Sequence, residues 1–154
     1  MKAALIKAAT YSGLWLSLCL GVISVTALSG CSQTAPKDQL YQQLGSTVGI
    51  EKIVDGLLVE IERDQQIVHH FRDTEIERFR KLLIEQFCEL SGGPCKYTGV
   101  SMQESHTGFN ITQADFDNLV RHLMKVMTEQ NISITAQNQL LGLLAPMYGD
   151  VVYR

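Results

Sequence analysis

Apolar side chains at Ile50, Ile53, Val54, Leu57, Leu58 and Ile61 recur at three- and four-residue intervals, while Glu51, Asp55 and Glu62 stand off that stripe. That spacing wraps onto one face of an α-helix and cannot form the inward face of a half-buried strand, which alternates with period two. The pattern returns at Ile76, Phe79, Leu82, Leu83, Phe87 and Leu90, with Thr74 and Glu77 set as a capping box and Gly92-Gly93-Pro94 as a stop. A third stripe runs through Phe116, Leu119, Val120, Leu123, Met124 and Met127. Thr112 and Asp115 cap it, and Ile111 with Phe116 forms a hydrophobic staple. A fourth begins near Ser133 and carries Leu140, Leu144, Met147 and Val151, widened by Leu141, Leu143 and Tyr148; Pro146 within it predicts a bend. No run alternates as a strand does, so the expectation is an all-α domain.

The helical pattern does not start at the first residue. Lys2 and Lys7 precede an uncharged apolar run from Leu14 to Leu28, which ends in Leu28-Ser29-Gly30-Cys31. A basic start, a short apolar middle and a small-residue cut site describe a secretory signal. The final tetrapeptide resembles the bacterial lipoprotein signal, in which Cys31 becomes the lipid-modified first residue. An uncleaved membrane anchor is the other reading of the run, but an anchor has no need of Gly30-Cys31 at its boundary. The expected organisation is a signal over residues 1–30, a polar tether over 31–38 and a domain over 39–154. Lipid on Cys31 places that domain at a membrane surface, on the outer side of the inner membrane or at the outer membrane.

Removing residues 1–30 from 154 leaves 124, enough for one domain that buries roughly two-thirds of its unfolded surface. Loss of Lys2 and Lys7 leaves 11 basic against 16 acidic side chains, a net charge of −5. No basic stripe is present, which argues against nucleic acid as a partner. Cys19 departs with the signal and Cys31 carries lipid, leaving Cys88 and Cys95 on either side of Glu89–Pro94. An export compartment permits a disulfide, and the spacing fits either a disulfide or two free thiols. Two cysteines without a second pair do not make a zinc site.

Between the second and third stripes lie Ser91 to Ile111, a stretch rich in glycine and polar residues that contains His106. A lone loop histidine is most often solvated or hydrogen-bonded. Here the loop is long for a compact domain, and one helical turn would put Met102 and His106 on the same side. The neighbouring helices also have wide apolar faces. Such faces could bury each other or a flat apolar cofactor. With no Cys or carboxylate cluster nearby, iron at His106 would need its other bonds from a macrocycle, as in haem.

The segments Leu40–Gly45 (LYQQLG), Ser91–Gly99 (SGGPCKYTG), Met102–Thr112 (MQESHTGFNIT), Asp117–Leu123 (DNLVRHL) and Leu143–Val152 (LLAPMYGDVV) resemble group I truncated haemoglobins. The resemblance spans about Leu40 to Val152. It implies a two-over-two helical sandwich that binds haem b, with His106 as the proximal iron ligand and Phe71 packed on the haem. Leu58, Phe79, Leu82, Leu83, Phe87 and Met102 would complete the apolar walls. The free nitrogen of His106 should donate to a backbone carbonyl or water. No C-x-x-C-H is present, so covalent c-type attachment is not expected.

On the same resemblance, the family's distal tyrosine falls on Leu58, and its polar positions on the second helix fall on Phe79 and Leu83. The distal face would then hold no donor. A donor to bound dioxygen is worth about 1–3 kcal/mol, whereas nitric oxide and carbon monoxide depend on one less. His69 and His70 are the nearest polar candidates for a sixth ligand, against a surface or packing role suited to a helix C-terminus. His122 is expected to be solvated. Arg80, Lys81, Lys96 and Tyr97 are candidates to meet haem propionates, with Arg80 and Tyr97 favoured by their apolar neighbours.

Two functions follow. One is a haem-binding lipoprotein that takes a diatomic gas (oxygen, nitric oxide or carbon monoxide) or serves a redox reaction at a membrane. Nitric oxide removal is an activity the resemblance raises, but it requires an electron donor, and the apolar distal side counts against it. Binding is therefore favoured over catalysis and no catalytic residue is assigned. The other is a haemless helical lipoprotein acting as an interaction module.

Overall fold

A computed structural model describes residues 38–154. The expected signal and all of the tether except Asp38 lie outside them. Among the described residues every regular element is helical: α1 Gln39–Gln43, α2 Ser46–Arg63, α3 Ile76–Leu90, α4 Met102–His106, α5 Gln113–Glu129, α6 Ile134–Leu144 and α7 Tyr148–Val151. Short 3₁₀ turns at Val68–Phe71 and Ala145–Met147 link α2 to α3 and α6 to α7. None of these helices is long and apolar enough to cross a membrane.

The long helices close a cycle of contacts, α2 on α3 and α5, and α6 on α3 and α5, which is a two-over-two sandwich. Its core is the α2 stripe, with Ile50, Ile53, Val54, Leu57 and Ile61 all buried, packed on Phe87, Leu123, Met127 and Leu140. Gly56 lets α2 and α5 approach closely, because a Cβ there would lie 2.6 Å from Val126.

Three helix ends refine the sequence reading. The α5 capping box of Thr112 and Asp115 is present, and Ser133 caps α6. At α3 the cap is Glu75, whose carboxylate accepts from the Arg78 amide at 2.8 Å, and not Thr74 as expected. Pro146 does more than bend the last helix: α6 ends at Leu144 and a 3₁₀ turn precedes α7, because proline withdraws a donor and crowds the preceding turn. Some stripe edges also face out, with Ile76, Met124, Leu143 and Tyr148 exposed.

The end of α3 matters most for the site. Gly92 (φ +86°) and Gly93 donate to the Glu89 and Cys88 carbonyls at 3.1 and 2.8 Å, the paired bonds of a Schellman stop. The chain then doubles back, and Cys88 and Cys95 form a disulfide across a Cα separation of 5.7 Å, closing the alternative left open by spacing.

Candidate functional site

Part of the long loop is helix. Ser101 caps α4 by accepting from the Glu104 amide at 3.2 Å, and the single turn ends on His106. Met102 and His106 therefore share a side. The His106 Nδ1 lies 2.7 Å from the Met102 carbonyl oxygen and 3.0 Å from Ser105 Oγ. A carbonyl only accepts, so this geometry places the proton on Nδ1 and leaves Nε2 with a free lone pair. That is the form a metal takes.

The strand of chain leading into α4 is clamped to α3. Glu89 accepts from the Tyr97 amide at 2.8 Å, and Glu85 accepts from the Thr98 amide and hydroxyl at 3.0 and 2.7 Å. Lys81 and Lys96 pair with these carboxylates at 2.8 and 2.9 Å. The Lys81 and Thr98 hydrogen bonds hold Glu85 down at about 2. Glu89 is lowered too, first by the Tyr97 amide and then by Lys96. Tyr97 donates its hydroxyl to the Val100 carbonyl at 3.0 Å, and burial pushes its phenol up.

Tyr97 and Met102 line a cavity of about 210 Å³ with Gln86, Leu90, Val100 and Met147. The other expected wall residues lie elsewhere. Leu58, Phe71, Phe79 and Leu83 are half-buried against the core, with the Phe71 and Phe79 rings 5.3 Å apart. Leu82 is half-buried and Phe87 is a core residue, 2% exposed. Arg80 forks onto Asp55 at 2.5 and 3.0 Å, and that hydrogen bond lowers the Asp55 pKa. A propionate would compete with Asp55 for this guanidinium.

Two of the three remaining histidines have polar partners of their own. His69 is exposed, while His70 lies 3.3 Å from Asp115. Burial works to raise the pKa of Asp115, but bonds from Thr112, Gln66 and His70 hold it well below the usual carboxylate range. His122, expected to be solvated, is instead half-buried, with Nε2 2.7 Å from Asp64 and Nδ1 3.6 Å from Glu60. The approach of α5 to the end of α2 creates that pocket, and no periodicity in either helix announces it. Gln86, buried on α3 and facing the cavity, is a second residue that the sequence reading missed.

Among the described residues no three His, Cys, Asp or Glu side chains gather to hold a bare ion. A single imidazole with its Nδ1 proton held by the Met102 carbonyl and its Nε2 lone pair free is a donor that suits haem, whose macrocycle brings its own nitrogens.

The bacterial-like globin family model matches residues 39–153, and the chain belongs to that family. It is 28% identical over 112 residues to the group 1 truncated haemoglobin GlbN of Mycolicibacterium paratuberculosis, covering 73% of this chain and 82% of the relative. To the same-named protein of Nostoc commune it is 28% identical over 113 residues, 73% and 96% of the two chains. Among solved structures, the truncated haemoglobin of Tetrahymena pyriformis in its Fe(III) form superposes with a TM-score of 0.72 at 23% identity, covering 75% of this chain and 98% of that one. The 2/2 haemoglobin of Synechococcus sp. PCC 7002, in the cyanomet state with covalently attached haem, gives 0.69 at 20% identity, with 75% and 98% covered. The expected two-over-two globin fold is thus found.

Proposed function

We propose that this chain is a haem-binding globin that takes a diatomic gas, with His106 as the iron ligand. The observation that carries the reading is the 2.7 Å bond from His106 Nδ1 to the Met102 carbonyl, which leaves Nε2 for the metal. Haem supplies an iron centre able to bind small gases and change oxidation state. The residues of this chain orient it and shape its surroundings. His106 would hold the iron, and Leu58, Phe71, Phe79, Leu82 and Leu83 would keep water from the group without offering it a hydrogen bond. Such a face favours carbon monoxide and nitric oxide over stored oxygen, whose retention leans on a donor. A redox role, nitric oxide turnover included, would draw on an electron donor outside the chain.

The test is the absorption spectrum of the purified full-length chain in detergent, with haemin added. An intense Soret band that His106→Ala abolishes supports the reading. A chain that stays colourless with haemin present leaves the haemless interaction module instead.

The Leu28–Cys31 sequence supports a lipid anchor at Cys31 and a membrane-surface location on the export side. Cys31→Ala should shift the protein out of the membrane fraction. Unchanged partition would speak against the lipid.

A further inference from the structure

Gln86 is a polar side chain on the apolar face of α3, and it is 8% exposed. Its Nε2 donates to two thioethers, Met102 Sδ and Met147 Sδ, each at 3.4 Å. Sulfur is a weak acceptor, so a buried amide spent on two sulfurs gives little raw stability. It does, however, tie three segments together at one atom: α3, the first residue of α4, and the last residue of the 3₁₀ turn before α7.

Met102 has a second attachment. Its carbonyl oxygen receives the His106 ring at 2.7 Å and the Ser105 hydroxyl at 3.0 Å. The side chain of Met102 is therefore held by Gln86 while its backbone sets the ring of His106. A helix of only five residues has too few internal bonds to keep its own register. Something outside it must set the turn.

We propose that Gln86 is the positioning residue of this site, holding the Met102 side chain and with it the carbonyl that orients the His106 imidazole. The ligand role of that imidazole rests on the haem reading above; the orientation itself does not.

Exchange of the His106 Nδ1–H with solvent, read by ¹⁵N NMR on the full-length chain in detergent without haem, tests the link directly. Gln86→Leu keeps the volume and removes the amide. It should speed that exchange about three- to tenfold, the factor that one hydrogen bond of ordinary net worth commands. The His122 ring, tied to Asp64, should not change. Met102→Leu removes the acceptor and should reproduce the effect, and the double variant should be no faster than the faster single. In the haemin-loaded chain the same variants should lose haem faster by a similar factor.

Wild-type exchange at His106 in Gln86→Leu would overturn the proposal, as would effects of the two variants that simply add. Should Gln86→Leu fail to fold, Met102→Leu reads the same connection from its other end, and wild-type exchange there is equally fatal. A wild-type chain that takes up no haem would sink the haem reading while the ring measurement still decides the positioning.

Discussion

The segment from Cys95 to His106 and the apolar group of Leu58, Phe71, Phe79 and Leu83 are organised by different forces. The first is tied by a disulfide, by two α3 carboxylates on backbone amides, and by a buried amide on Met102. The second is held by packing against the core, with a ring–ring contact between Phe71 and Phe79. Directional bonds fix where one nitrogen points, which is what a metal ligand requires. Packing fixes volume and dryness without directing a proton anywhere, and in the haem-binding reading that would be enough for a face that only excludes water.

Removing the disulfide should produce the largest change. Cys88→Ala with Cys95→Ala is expected to cost about 2–4 kcal/mol in urea unfolding. It should also raise amide exchange from Tyr97 to His106 while leaving α2 protected. Equal loosening of both regions would show that one kind of force holds them both.

Next in size is a change in the apolar group. Leu58→Tyr introduces a donor and should slow oxygen release about five- to 150-fold, the weight of about 1–3 kcal/mol. Flash photolysis of the wild type should already show fast release. Slow release without the added tyrosine would mean that a donor is present in that group after all.

The smallest effect concerns acid. Glu85 and Glu89 have an ordinary value of 4.5 and titrate below it in the fold, Glu85 at about 2. Their clamping is therefore complete above the ordinary value and lost as pH falls through the folded one. Protection of the Tyr97 and Thr98 amides should stay flat from about pH 7 to about pH 5 and drop toward about pH 2. Protection lost already at about pH 5 would contradict the lowered values.

How far the sequence alone reaches follows the same division. Periodicity located α2, α3 and α5, and the pairing of Thr112 with Asp115 located the start of α5, because these are local repeats that need no knowledge of the partner. The globin fold came instead from the resemblance of segments such as Met102–Thr112 to group I truncated haemoglobins, which periodicity does not supply. Contacts across helices were out of reach: Arg80 with Asp55, and His122 with Asp64, depend on how two helices cross. Gln86 could have been noticed. It stands three residues from Leu83 and four from Leu82 on the α3 stripe, and a polar residue on an apolar stripe calls for a buried partner.

The atom that receives the His106 proton belongs to the peptide backbone, so substitution at position 102 cannot delete it. A neutral amide oxygen draws the proton less than a carboxylate would and leaves the imidazole short of imidazolate character. The acceptor that tunes this ring is consequently written into the main chain: a side-chain change such as Gln86→Leu can shift it, but none can remove it.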